Sequence, residues 1–157
     1  MPDFILRRAA RVLLVDRAGR VLLFNGFDPA RPDHRYWFTP GGGLEPAESP
    51  AAGAVRELAE ETGLLLTPAE LGDPVRHEEV EFPFDGRWYR QEQDFFLARV
   101  TSWQVDTRGF DEVERHSIES HRWWSADELE RTAERFYPED LPGLLRQLTA
   151  VPWEPAC

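Results

Sequence analysis

Apolar residues enter the chain as an unbroken run within Arg11–Asp16 and return, after the polar turn Arg17-Ala-Gly-Arg20, as a second run, Val21–Phe24. Runs this short and continuous predict buried strands, here paired as a hairpin. Residues 25–35, rich in Asp, Pro and Arg, predict a loop. Tyr36–Phe38 predicts a short aromatic strand, stopped by Pro40 and three glycines. Helical spacing then takes over. Ser49 suits an N-cap, Pro50 the first helical position and Gly63 the C-terminal cap, with about three turns between.

Beyond that helix, two strands are predicted over Val75–Phe84 and Trp88–Val100, joined by the turn Phe84-Asp-Gly-Arg87. Another strand ends at Trp123-Trp124. Ser125 and Glu128 form a capping-box pattern that opens a helix through about Phe136, and a last helix runs from about Glu139 to Ala150. Strands, helix, strands and helices in this order predict one mixed α/β domain over residues 1–157, and no repeat or long linker divides the chain.

Composition narrows the chemistry. Every one of the 18 basic residues is Arg, against 29 acidic residues, for a net charge of -11. So acidic a chain repels nucleic acid and anionic lipid at long range, so neither a stable nucleic-acid complex nor a membrane partner is expected. Without lysine there is no Schiff base, P-loop or usual kinase mechanism. The single Cys157, at the end of the chain, is a poor nucleophile candidate. No apolar stretch reaches the length of a membrane span and no signal-peptide pattern is present, so a cytoplasmic location is expected.

The helix after the glycines carries the candidate chemistry. With Ala51 at zero, Ala54, Val55, Leu58 and Thr62 fall within about 60° and form the buried stripe. Glu60, Glu57 and Glu61 fall at about 180°, 240° and 280° on the other side, with Gly53 among them. Like charges at these spacings destabilise a helix by about 0.2–0.5 kcal/mol per pair. Clustered carboxylates without Cys or paired His suit a hard cation, Mg²⁺ or Mn²⁺ ahead of Zn²⁺. A solvated acidic helix face is the ordinary alternative. His116 and His121 are five residues apart, which suits no shared zinc, and they read as surface residues.

From Gly42 the chain reads Gly, five residues, Glu48, seven residues, then Arg56-Glu-Leu-Ala-Glu-Glu-Thr-Gly-Leu64. This resembles the signature of the Nudix hydrolases at every defined position. The resemblance implies an α/β/α sandwich with a mixed β-sheet and a loop–helix–loop motif that binds Mg²⁺ or Mn²⁺ at a diphosphate. It implies that Glu57, Glu60 and Glu61 bind metal together with the carbonyl of Gly41. Glu48 and Arg56 then brace the loop, Gly42 and Gly63 support it, and a carboxylate after the later strands completes the site or acts as base. Glu112, Glu114 and Glu119 compete for that place, with Glu114 favoured.

The implied reaction is hydrolysis of a diphosphate bond in a nucleoside diphosphate linked to another moiety X, by metal-activated water. Its substrate is a nucleotide-type small molecule, and the family often forms homodimers. For substrate contacts we single out Arg35, Arg90 and Trp37: guanidiniums for phosphate, an aromatic face for a base. The competing reading is a catalytically silent nucleotide-binding module. The intact Glu57, Glu60 and Glu61 set argues against it, because a sensor has no need of their repulsion. An isoprenoid-diphosphate isomerase would use a reactive Cys that the interior lacks.

Overall fold

The computed structural model describes residues 3–153; Cys157 lies outside them. Strand β1 (Phe4–Val15) turns into β2 (Val21–Asp28), followed by β3 (Arg31–Phe38) and the three-glycine strand β4 (Gly41–Gly43). Helix α1 (Pro50–Thr62) and the single turn α2 (Pro68–Leu71) lead to a long hairpin of β5 (Arg76–Phe84) and β6 (Arg87–Arg99). Helix α3 (Glu112–Ser117), strand β7 (Ile118–Trp124), α4 (Ala126–Arg131) and α5 (Leu141–Thr149) complete the order.

All seven strands join one sheet in the order β3-β2-β1-β6-β5, with β4 added to β1 and β7 to β2. Among the strands of the described residues only β1 and β6 run parallel, so the sheet is mixed. Strand β1 meets β4 at Ala9–Arg11 and meets β2 only at Val15 and Val21. The sheet therefore divides beyond this hairpin into a β1–β4–β5–β6 part and a β2–β3–β7 part, and the β3–β4 connection crosses between them.

The unbroken apolar runs follow from burial on both faces. Ala10, Val12, Leu14, Leu22 and Phe24 join one core cluster, which Ala54 and Leu58 of α1 complete. The alternate residues Leu13, Val15, Val21 and Leu23 join a second, with Leu129 of α4 and Leu141, Leu144 and Leu145 of α5. Helices thus cover both faces of the sheet, the α/β/α sandwich that the sequence resemblance implies. Asp85 and Gly86, at φ 51° and 79°, close the β5–β6 hairpin in the doubly left-handed turn that its strands' twist favours.

Two expectations need correction. Residues 25–35 are mostly strand: β2 continues to Asp28 and β3 starts at Arg31. Their polar residues misread as loop because β3 is an edge strand with a largely exposed face. Buried Asp28 accepts the N–H of Ala30 (2.9 Å) in the tight turn and that of Asp85 (2.7 Å) from the other hairpin. The helix expected through Phe136 ends at Arg131. Beyond it the backbone is captured by β3, with Trp37 N–H donating to Arg135 O (2.8 Å) and Tyr137 N–H to Trp37 O (3.0 Å).

Candidate functional site

Helix α1 begins as its sequence dictates. Ser49 Oγ accepts the N–H of Ala52 (3.2 Å), Pro50 occupies the first turn, and the Gly63 N–H closes the far end on Ala59 O (3.0 Å). The connection from β4 folds back onto the helix at Gly53, where a Cβ would stand 2.3 Å from Leu44 Cδ2. The smallest residue on the acidic face therefore admits a loop. Gly41 has φ 139° and a Cβ there would lie 2.2 Å from Ala10 O, so β4 can approach β1 only as glycine.

Arg56 ties loop to helix. Its Nε and Nη2 donate to the two carboxylate oxygens of Glu48 (2.8 and 2.9 Å), Nη2 also to Gly43 O (3.1 Å), and Nη1 to Glu57 Oε1 (3.1 Å). The guanidinium bonds hold the Glu48 carboxyl down to about pKa 2, with a further contribution from the Glu45 N–H. The same carboxylates hold the guanidinium proton more tightly than usual.

Next to this brace three carboxylates converge. One oxygen each of Glu57, Glu61 and Glu114 lies within 4.8 Å of the other two. Glu61 is 1% exposed, and its Oε1 accepts the N–H of Gly41 at 2.7 Å. Burial first, then the adjoining Glu114 carboxyl, pushes the Glu61 pKa well up. Burial also raises Glu57 to about 6, opposed by Arg56 and assisted by Glu60 and Glu114. Glu114 arrives on α3 through a capping box: Asp111 accepts its N–H (2.8 Å), while its Oε1 accepts the Asp111 N–H (3.0 Å).

These raised pKa values have a sign. Both carboxyls prefer the proton when folded, so their contribution to stability is full below about pH 4.5 and is lost as pH rises through 6 and beyond. For Glu57 the loss is about 2 kcal/mol. The melting temperature in chelator should therefore fall between pH 5 and 8. The Glu57→Gln, Glu61→Gln double variant, which leaves the opposing shifts of His34 and His77 in place, should lack that part of the slope. Identical slopes in the two proteins would show that the cluster carries no such strain.

Of the expected carboxylates, Glu60 stands at the rim, 45% exposed in its side chain and 3.6 Å from Arg56 Nη1. Among the three downstream candidates, only Glu114 joins the group. Glu119 is paired with Arg35, and Glu112 is exposed in the first turn of α3. The residues singled out above for substrate contacts have partners within the protein. Arg35 is taken by Glu119 and lies over the Phe27 ring; Arg90 binds Glu81 (2.8 Å) and covers Phe4. Trp37 is core: its ring packs edge-on to Trp124 at 5.1 Å, and its Nε1 donates to Glu134 (3.3 Å). β3 is exposed along most of its length, and Trp37 is its one buried residue, packed beside Trp124 and bonded to the backbone of residues 135–137.

Arg11 went unnoticed in the sequence. It is half-buried beside β4, with Nη1 3.3 Å from Thr39 O and 3.4 Å from Gly41 O. A charged residue directly preceding an apolar run was its only local signal.

The family model described as the NUDIX domain matches residues 5–146. The chain belongs to the NUDIX family. It is a Nudix pyrophosphohydrolase, of a family that uses divalent metal ions. An RNA pyrophosphohydrolase of Erythrobacter litoralis is 31% identical over 95% of this chain and 94% of its own length. Another RNA pyrophosphohydrolase, of Roseobacter denitrificans, is 35% identical over 69% of this chain and 76% of its own. Among solved structures, the MutT protein of Methanosarcina mazei Go1 superposes with a TM-score of 0.63 at 18% identity, covering 96% of this chain and 97% of that one. The E. coli dihydroneopterin triphosphate pyrophosphohydrolase gives the same TM-score at 18% identity over 93% and 98%. At that identity the two structures speak for the Nudix fold alone. No helix among the described residues is long and apolar enough to cross a membrane.

Proposed function

We propose that this Nudix enzyme cleaves the diphosphate bond of a nucleoside diphosphate linked to another moiety, using Mg²⁺ or Mn²⁺ held by Glu57, Glu60, Glu61 and the Gly41 carbonyl. The observation that carries this reading is the convergence of Glu57, Glu61 and Glu114 beside Gly41. Carboxylate and carbonyl oxygens are the donors that these hard cations take. An ion held by these residues would supply charge neutralisation at the diphosphate oxygens and a more acidic water molecule. The protein's own part is to hold the ligand oxygens in place through the Glu48–Arg56 brace, with Gly42 and Gly63 permitting the close loop and the helix end. Glu114, whose Oε1 is fixed by the Asp111 N–H, completes the set or takes the water's proton.

A net charge of -11 favours a small nucleotide over a long polyanion. The relatives' name, RNA pyrophosphohydrolase, adds a pyrophosphate bond carried by RNA to the candidates. The test is phosphate or pyrophosphate release from nucleoside triphosphates, nucleotide sugars, ADP-ribose, dinucleoside polyphosphates and 5′-triphosphate RNA, with Mg²⁺, Mn²⁺ or chelator. Cleavage of at least one compound, abolished by chelator, is expected. Thermal stabilisation by a nucleotide with no cleavage of any would replace the reading with a silent binding module.

A further inference from the structure

Between β6 and α3 the chain runs irregularly over residues 100–111, and its path crosses the end of α1. Thr62 O is one of the carbonyls that a helix end leaves without an internal partner. It accepts two donors from this segment, the Trp103 Nε1–H at 2.8 Å and the Asp106 N–H at 2.9 Å. Further along, Gly109 lies on the helix backbone itself, where a Cβ would stand 2.4 Å from Glu60 O. Its φ is not left-handed, so the close approach alone calls for glycine. The segment is thus fixed to α1 at two points, both in the turn that carries Glu60 and Glu61.

Between those points the segment holds its own shape. The Asp106 carboxylate accepts the Arg108 N–H and Nε–H, each at 3.0 Å, and its Nη2–H at 2.7 Å. The Phe110 N–H closes a turn on Thr107 O (3.0 Å), and the Phe110 ring enters the core edge-on to Phe24 at 5.6 Å. Asp111 comes next and caps α3, whose first turn carries Glu114. Glu114 is the one member of the three-carboxylate cluster that α1 does not supply. Helix α3 packs on β2 and β7, and the segment before it is what ties it to α1.

We propose that residues 103–110 form a positioning strap for the carboxylate site: Trp103 and Gly109 fix it to the end of α1, and it sets the distance at which Glu114 meets Glu57 and Glu61. Trp103 is then a positioning residue that acts through Glu114. This deepens the metal-dependent reading and rests on it for what the cluster does. A helix end can leave its carbonyls to water, and a plain connection needs neither an indole donor nor a glycine against helix backbone. Both features have a use if the end of one carboxylate-bearing element must be held in register with the start of the other. A cation shared between α1 and α3 demands that register, because its ligand oxygens must converge on one point.

One arm of the test needs no metal. Amide hydrogen exchange over residues 111–117 is compared in chelator for wild type, for Trp103→Phe, which keeps an aromatic ring and loses the donor, and for Gly109→Ala, which lifts the strap from Glu60. Both variants should exchange there about ten-fold faster, the scale of one lost hydrogen bond, with the amides of β1 and β2 unchanged. In the second arm, Mn²⁺ affinity is read from the paramagnetic resonance signal of the free ion. It should weaken about ten-fold or more in both variants, as when the outer support of a metal ligand is removed. In a Glu114→Gln background neither change should weaken Mn²⁺ binding further, because the carboxylate they position is gone. Leu148→Ala, a truncation beside the other core cluster, should lower the melting temperature and alter neither readout. Unchanged exchange over residues 111–117 would overturn the proposal. So would equal Mn²⁺ losses with and without the Glu114 carboxylate, which would make the strap a helix cap and no more. A wild type that binds no Mn²⁺ would count against the metal reading, and the exchange arm would still decide whether the strap holds α3.

Discussion

Glu61→Gln should yield a better folded protein that no longer turns over substrate. The variant keeps the size of the side chain and its principal contact: the amide oxygen accepts the Gly41 N–H as Oε1 now does at 2.7 Å. A Glu114 carboxyl oxygen lies within 4.8 Å, and a neutral amide beside it removes the repulsion between two adjoining carboxylates. Stability in chelator at pH 8 should therefore rise. Hydrolysis should fall about a thousand-fold or more, since loss of the ion's charge stabilisation removes about 4 kcal/mol from the transition state. Glu57→Gln should do the same with a smaller gain in stability, because it also gives up the charge facing Arg56. Thermal melts and single-turnover rates on the same preparations check both halves. Wild-type turnover in Glu61→Gln would remove the cluster from the mechanism.

What the sequence revealed about this site was local. Ser49, Pro50 and Gly63 mark the helix because caps depend on a few neighbouring residues, and Asp85-Gly86 marks its hairpin for the same reason. The carboxylates could be put on one helix face from angular spacing alone. Which carboxylate would reach Glu61 from a distant segment was a different kind of question. The pattern Asp111-x-x-Glu114 signals a capped turn, but only the packing of α3 against β2 brings that turn to the cluster. The errors share this origin. Residues 25–35 look like loop until β2 and β3 pair, and the backbone of residues 135–137 leaves its helical pattern because β3 offers it hydrogen bonds. Trp37 and Arg11 sit on strands whose faces are assigned by the assembled sheet, so neither burial nor access could be read from spacing.

Arg56→Ala should be the most damaging single change outside the carboxylate cluster. It removes six contacts at once: two to Glu48, one each to Gly43 O and Glu57, and the longer ones to Glu60 and Glu45. Glu48 and Glu57 are left as largely buried carboxylates, 13% and 12% exposed, with no cation beside them. Breaking one side of such a pair costs about 3–5 kcal/mol. Turnover should fall about a hundred-fold, the scale expected when ligand groups shift by about 1 Å. Arg56→Lys distinguishes charge from geometry. A lysine ammonium restores a positive charge but cannot span both Glu48 oxygens while also reaching Gly43 O and Glu57, so it should recover less than half of either loss. Glu48→Gln combined with Arg56→Ala should destabilise by less than the sum of the two single changes, because each already breaks the same bidentate bond. Additive losses would mean that Arg56 acts through Glu57 and Glu60 instead, and that the loop is held by its glycines alone.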